Sequence, residues 1–401
     1  LQSTPRRVGF RAGESPRHDE HTVDHPGRTP LPNPKAPPGR APPQRRPGTP
    51  VRPHPTPRLE PPLRIAINGF GRIGRNIFRI LSGHPSIEVV AIVDIAEFEG
   101  LEYLLRFDTV HGRFREEVRV VGDHMYLHGR QIRLVKAKAP GDVDWNALGV
   151  DLVVESTNRY RRREHLQAHL DAGANRVILT SPPKRGESMD ALVVSGVNDE
   201  TLTGRERILS AASCTINAIA PVLQVFEKNF GIQHAFMTSV HAYTNDQRLA
   251  DVPHADLRRS RAAAENIIPT ATYSPSGIGE VLPSMEGKLT GMALNVPVPD
   301  GSTVDLTCRM ARPVDRDQVN EVIRSAAASS YKNIIEYSED PIVSSDVIGN
   351  DHSAIFDSLA TMELDGDLVK VLVWYDNGWG YATRVVELIE RFGAAVPGGV
   401  S

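Results

Sequence analysis

Cys214 lies in Ser-Ala-Ala-Ser-Cys-Thr-Ile-Asn (210–217), and His241 follows in Ser-Val-His-Ala-Tyr-Thr-Asn-Asp-Gln (239–247). A thiol is a poor nucleophile until something lowers its pKa, and a nearby imidazole is the usual means. The segment after Cys214, Ile216-Asn-Ala-Ile-Ala-Pro-Val-Leu, reads as a helix. A helix N-terminus stabilises an anion by about 0.3–1 kcal/mol, and an imidazolium partner adds to this. His241 sits at the end of a strand pattern in a polar, loop-like stretch, where catalytic groups collect. The competing readings are a small buried cysteine and a structural histidine, one of 14 in the chain. The second thiol, Cys308 in Val-Asp-Leu-Thr-Cys-Arg-Met, reads as a core residue.

A reactive thiol needs a frame, and the folded part of the chain opens with one. Leu63-Arg-Ile-Ala-Ile-Asn reads as a buried strand, Gly69-Phe-Gly-Arg-Ile-Gly74 as a glycine turn, and Arg75-Asn-Ile-Phe-Arg-Ile-Leu as a helix. The spacing Gly69-x-Gly71-x-x-Gly74 is weak alone. It gains force from the strand before it, the helix after it, and Asp94 at the end of the next strand, 20 residues on. Gly71 lets the backbone approach a pyrophosphate, and the helix beginning near Arg72 and Ile73 offers free N–H groups and a positive dipole end. Asp94 can accept from both ribose hydroxyls and repels a 2′-phosphate, so NAD is expected rather than NADP.

Val89-Val-Ala-Ile-Val-Asp94, Asp151-Leu-Val-Val-Glu155 and Arg176-Val-Ile-Leu-Thr180 alternate with helical segments, which predicts a mostly parallel, doubly wound sheet. Beyond residue 213 longer strands follow (236–240, 292–298, 304–309, 368–374) without regular helical spacers, the pattern of an α+β domain with a mixed or antiparallel sheet. We therefore expect an α/β protein: a Rossmann domain over 63–213, joined by a C-terminal helix at 378–395, and a catalytic domain over 214–377.

The chain has 401 residues, 40% hydrophobic and 24% charged, with two cysteines and no apolar run of the roughly 20 residues a membrane helix needs. No membrane role and a reducing, cytoplasmic setting are the expectations. Residues 1–62 hold 17 of the 31 prolines and are expected to be disordered. They carry 11 Lys and Arg against 5 Asp and Glu, leaving 35 against 44 for the remainder. A basic arm could meet nucleic acid, but the composition fits a linker, or a stretch upstream of the true start, better. Arg159 and Arg161 to Arg163 read as a solvated helix start, with anion contact the alternative.

With these residues in view the chain resembles a glyceraldehyde-3-phosphate dehydrogenase of the phosphorylating kind, from about Arg64 to Arg391. The motifs that carry the resemblance are Ala66-Ile-Asn-Gly-Phe-Gly-Arg-Ile-Gly-Arg75, Phe107-Asp-Thr-Val-His-Gly-Arg-Phe114, Ser213-Cys-Thr215, His241-Ala-Tyr-Thr-Asn-Asp-Gln247, Asp256-Leu-Arg-Arg-Ser-Arg-Ala-Ala-Ala264, Gly287-Lys-Leu-Thr-Gly-Met-Ala293 and Trp374-Tyr-Asp-Asn377. The resemblance implies that Cys214 adds to an aldehyde, that His241 acts as general base, and that a thioester is then cleaved by inorganic phosphate. It also implies that Asn377 orients the nicotinamide amide, that Lys138 and Thr180 contact the cofactor, and that Ser213, Thr215, Thr244, Arg259 and Thr272 line two anion sites. A homotetramer with the 243–267 segment at an interface follows from the same likeness.

The chain departs from the family at Asn295, where an arginine is expected, and at Tyr273, where a glycine is expected. Asn158, Ala211, Ile216 and Ala218 are smaller departures that remove no group the chemistry needs. Losing a guanidinium removes a charge-assisted hydrogen bond worth about 1.5–3 kcal/mol, and a tyrosine adds bulk beside an anion site. Two alternatives to glyceraldehyde 3-phosphate oxidation follow: the same chemistry on erythrose 4-phosphate or an unphosphorylated aldehyde, and a non-enzymatic binding paralogue.

Overall fold

The structure, a computed structural model, describes residues 61–393. The disorder expected of the tail therefore falls, but for its last two residues, outside the described part. Two sheets organise the rest.

The first sheet has nine strands in the order β10-β11-β9-β8-β1-β2-β7-β6-β5. Here β1 is Leu63–Asn68, β2 Ile87–Asp94, β5 Val118–Val121, β6 His124–Leu127, β7 Arg130–Lys136, β8 Leu152–Glu155, β9 Arg176–Leu179, β10 Ala191–Leu192 and β11 Ile208–Ser210. A short hairpin, β3 (Phe107–Asp108) and β4 (Gly112–Arg113), stands apart. From β10 to β7 the pairs are parallel, and β6 and β5 close the edge antiparallel.

Burial explains why these strands are continuous apolar runs. In β1, Ile65 and Ile67 pack on one face with helices α1 (Arg72–Leu81), α2 (Phe98–Arg106) and α7 (Trp379–Gly393), while Ala66 packs on the other with Trp145 and α3 (Arg163–Asp171). Both faces being covered, each residue in turn is buried, the mark of a parallel sheet in an α/β fold. Each such aliphatic side chain contributes about 1.5–3 kcal/mol on burial.

The second sheet has seven strands in the order β13-β14-β12-β15-β18-β17-β16. They are β12 Ile232–Ala242, β13 Ile268–Thr270, β14 Leu289–Val296, β15 Ser302–Met310, β16 Ile335–Ser338, β17 Ala354–Leu364 and β18 Leu368–Tyr375. Pairs β12/β14 and β16/β17 are parallel and the others antiparallel. One face packs on α4 (Cys214–Asn229), α5 (Ser274–Val281) and α6 (Arg316–Ala328). Helices are thus more regular here than the sequence suggests.

Two local differences have clear causes. The strand expected over 292–298 ends at Val296, because Pro297 has no N–H to give the ladder and the Val298 N–H turns back to the Val296 carbonyl at 2.8 Å. The β5-β6-β7 meander is absent from the sequence reading. Its turns are Gly122-Asp123 and His128-Gly129, and His128 adopts φ 50, a conformation His-Gly announces less loudly than Asn-Gly.

One glycine governs the cofactor end of the first sheet. A Cβ on Gly74 would lie 2.2 Å from the Gly69 carbonyl oxygen, so α1 can approach β1 this closely only without a side chain there. Gly74→Ala should cost about 1–3 kcal/mol by overpacking, read as a lowered urea midpoint, and should weaken NAD binding in the same variant; an unchanged midpoint would show that the turn relaxes freely.

Candidate active site

Cys214 is the first residue of α4. Ser213 precedes it as N-cap, its hydroxyl accepting the Ile216 N–H at 3.2 Å. The chain reaches this point through Ala212, whose φ of 56 is unusual for a residue with a side chain, between β11 and the helix. Buried contacts hold that turn: Ser210 Oγ accepts from Ala212 N, and Tyr381 Oη on α7 donates to the Ala212 carbonyl at 3.2 Å. Cys214 itself is half-buried and packs against both the core of the second sheet and that of the first.

His241 stands near the end of β12. Its Nε2 lies 3.4 Å from Cys214 Sγ, and its Nδ1 lies 2.6 Å from the Ala242 carbonyl. A carbonyl can only accept, so the proton of a neutral ring sits on Nδ1 and Nε2 offers its lone pair to the sulfur. This is the arrangement of a general base beside its nucleophile.

Burial works against ionisation of this pair. It pushes the Cys214 thiol up to about 12, with the charge of Asp300 adding to the rise, while the Thr215 amide and hydroxyl act in the opposite direction. Burial also lowers His241, partly offset by the Ala242 carbonyl and Asp300. Burial and the helix end thus pull on the sulfur in opposite directions, and the geometry sets the thiol against the lone pair of His241 Nε2.

Tyr375, given no role by the sequence reading, closes the floor of the site. Its hydroxyl is 2.9 Å from Thr215 Oγ1 and 3.2 Å from Ser239 Oγ, and its ring meets His241 edge-on at 6.1 Å. Burial raises its phenol far out of range of proton transfer. The only hint in the sequence was its place between Trp374 and Asp376 in a strand of alternating burial.

The cofactor residues gather along the carboxyl ends of the first sheet, where open α/β sheets bind ligands. Gly71 is the N-cap of α1 and makes no side-chain cap, so the first-turn amides from Arg72 and Ile73 onward are left to a ligand. Asp94, at the end of β2, accepts the Phe70 N–H at 2.8 Å on one oxygen and the Ala96 N–H at 3.0 Å on the other, and each oxygen keeps a lone pair. Thr180 follows β9 and donates to the Glu155 carbonyl at 3.1 Å; Lys138 follows β7, its amide bonded to Asp142. Uncapped amides, a glycine cradle and a carboxylate fit a dinucleotide.

The anion-site residues fall into two groups. Ser213 and Thr215 flank the thiol. Thr244 is bonded to Gln247 through its amide and hydroxyl, and Arg259 is paired with Asp246 at 2.7 Å while its buried Nε has no partner. Thr272 donates to Ser274 at the start of α5. Asn295 is buried on β14 in register with His241 on β12, so the two side chains share a sheet face, and its Nδ2 has no hydrogen-bond partner. Tyr273, whose bulk was expected to oppose an anion, is held elsewhere: its hydroxyl donates to Glu280 at 2.9 Å. Of the basic run, Arg162 stands at the N-cap position of α3 without a side-chain cap bond, and Arg163 pairs with Asp190 at 2.6 Å.

Among the described residues His111, Asp300 and Asp376 bring potential metal-ligand atoms within 4.8 Å of one another. The Asp376 carboxylate is already taken by the N–H groups of Gly378, Trp379 and Gly349, the work of a cap for α7. Burial and the neighbouring Asp300 hold Asp376 well above the usual carboxylate range, and burial raises Asp300 as well.

A dinucleotide-binding sheet joined to a mixed-sheet domain, with a cysteine and a histidine in contact, defines a cofactor-dependent oxidoreductase. The family models agree: residues 63–163 match the NAD binding domain of glyceraldehyde 3-phosphate dehydrogenase, and 213–377 match its C-terminal domain. The chain is 46% identical to "Glyceraldehyde-3-phosphate dehydrogenase" of Geobacillus stearothermophilus over 81% of this chain and 97% of that one. It is 45% identical to the protein of the same name from Streptomyces coelicolor over 81% and 97%, and 44% identical to "Glyceraldehyde-3-phosphate dehydrogenase 2" of Bacillus subtilis over 83% and 97%. The chain belongs to the glyceraldehyde-3-phosphate dehydrogenase family. These relatives do not favour the alternatives of another aldehyde or a non-enzymatic paralogue.

Substituting His241 removes the proton acceptor 3.4 Å from the thiol. In His241→Asn, iodoacetamide should alkylate Cys214 at least about tenfold more slowly at neutral pH, with a rate that climbs steadily above the ordinary thiol pKa of about 8.5; a profile identical to the wild type would remove His241 as the proton acceptor.

Proposed function

We propose that the protein catalyses NAD-dependent oxidation and phosphorylation of glyceraldehyde 3-phosphate to 1,3-bisphosphoglycerate, a glycolytic reaction. The observation that carries this is the 3.4 Å contact between Cys214 Sγ and His241 Nε2 beside a dinucleotide frame. Cys214 adds to the aldehyde carbon as its proton passes to His241 and on to the new hydroxyl. His241 then takes the proton of the thiohemiacetal hydroxyl as hydride leaves carbon. NAD, when bound, supplies the hydride acceptor. Cys214 is left as a thioester, and an oxygen of inorganic phosphate attacks the acyl carbon and expels the sulfur, which recovers its proton from His241.

Ser213 and Thr215, at the helix end beside the sulfur, are placed to donate to the attacking phosphate, and Thr244, Arg259 and Thr272 supply further hydroxyl and guanidinium donors. Gly69, Gly71, Arg72, Ile73 and Gly74 would cradle the pyrophosphate, Asp94 the adenosine ribose, and Lys138, Thr180 and Asn377 the rest of the cofactor. NAD with glyceraldehyde 3-phosphate and phosphate should yield NADH, and Cys214→Ser should lower kcat by at least about a thousandfold, since a hydroxyl is neither as nucleophilic nor as good a leaving group. No NADH from the wild type would defeat the reading.

A homotetramer in a cytoplasmic setting fits two features. The face of the second sheet opposite the helices leaves Phe236, Met292 and Met362 exposed, the kind of apolar surface a partner subunit covers. Both cysteines are free, and among the described residues no helix is long and apolar enough to cross a membrane.

Asn295 bears on substrate affinity. A neutral amide lies where its Nδ2 is unpartnered beside His241, so Asn295→Arg, by adding a charge-assisted bond, should lower KM for glyceraldehyde 3-phosphate about tenfold at constant fold stability; an unchanged KM would separate Asn295 from the phosphate.

A further inference from the structure

Asn377 follows β18, and its side-chain oxygen is already engaged: Ser302 Oγ donates to Asn377 Oδ1 at 2.7 Å. The same hydroxyl oxygen accepts the Ala242 N–H at 3.0 Å, and the Ala242 carbonyl is the group that holds His241 Nδ1 at 2.6 Å. A serine hydroxyl has one proton to give. The Ala242 N–H takes one of the hydroxyl's two lone pairs, and the hydroxyl proton goes to Asn377 Oδ1.

Several features hold Ser302 in this place. It is fully buried, at the start of β15, and it pairs in register with Tyr375 on β18. The preceding Gly301 has φ +82, and a Cβ there would lie 1.9 Å from the Ser344 carbonyl oxygen, so the tight entry to the strand excludes any side chain. Asp300 completes the corner by accepting the N–H groups of Gly301 at 2.8 Å and Asn377 at 3.3 Å on one oxygen. The backbone and the Oδ1 of Asn377 are thus both pinned, and no described residue engages its Nδ2.

We propose that Ser302 is a positioning residue for the cofactor: by occupying Asn377 Oδ1 it turns Nδ2 outward, so that the nicotinamide carboxamide must dock through its carbonyl oxygen rather than its NH2. Through Ala242 the same hydroxyl ties that orientation to the backbone that sets the His241 tautomer. The amide orientation selects which way round the carboxamide, and with it the ring, is held against the sulfur. The inference rests on the cofactor reading above and adds the device that orients the amide.

Dissociation constants read by calorimetry test it without turnover. The probes are NAD and its 3-acetylpyridine analogue, which keeps the carbonyl and lacks the NH2. The wild type should bind the two within about threefold of each other, because only the carbonyl is used. Ser302→Ala should weaken NAD about tenfold, the worth of one oriented hydrogen bond, and Ser302→Thr, which keeps the hydroxyl, should recover most of that loss. In the apo form, Ser302→Ala should also displace the pH profile of Cys214 alkylation, through the loosened Ala242 segment.

If Ser302→Ala does not fold, Asn377→Asp decides the matter. It sets a carboxylate oxygen against the cofactor carbonyl, and should bind NAD more weakly than Asn377→Ala. Ser302→Ala binding NAD within twofold of the wild type, or Asn377→Asp binding no worse than Asn377→Ala, would overturn the proposal. Failure of the wild type to bind NAD at all would instead remove the cofactor reading beneath it.

Discussion

The contact between Cys214 and His241 is the constraint the rest of the molecule serves, because its two halves come from separate parts of the fold. The sulfur stands at the head of a helix that follows β11 of the first sheet; the imidazole stands near the end of a strand in the second. A displacement of about 1 Å between them would forfeit the hydrogen bond. The molecule meets this by burying the junction. Helix α4 carries eleven buried residues, Pro221 among them, within the core of the second sheet, while Cys214 touches the first core as well. A proline inside a helix costs about 3 kcal/mol, so the persistence of α4 through Pro221 is itself a sign of how strongly tertiary packing holds the sulfur in place.

That rigidity has an electrostatic consequence. The same burial that fixes the pair raises the thiol and lowers the imidazole. Nearby acids follow the same logic, burial raising both Asp300 and Asp376. Desolvation disfavours each charged form.

Much of this was legible in the sequence, for reasons that can be named. The glycine turn is legible because pyrophosphate binding dictates both its spacing and its place between a strand and a helix, and Asp94 because its offset is set by the length of one βα unit. Cys214 and His241 stood out by type. The pKa of the pair was not legible: it depends on how much of the protein packs around the sulfur, which no local pattern encodes. Tyr375 and Ser302 were missed because each is an ordinary strand residue whose importance lies in which hydroxyl it meets across the sheet. The direction of Tyr273 likewise turns on Glu280, seven residues on, which a comparison of single positions overlooks.

Where burial disfavours charge, hydrogen bonds of fixed direction are left to select an orientation. The run from His241 through Ala242 and Ser302 to Asn377 does this with backbone amides and one hydroxyl, all of them buried or part-buried and each with its proton assigned by its neighbours. Such groups cost no reorganisation when a ligand arrives, which is the condition under which fixed dipoles act most strongly in a low-dielectric site. Charge would then enter with the ligands of the proposed reaction: a pyridinium ring would favour the thiol's anion, and a phosphate dianion would meet Arg259 or the helix end at Cys214. Asn295 fits the same scheme. A permanent cation in register with His241 would oppose protonation of the imidazole, and the amide found there does not.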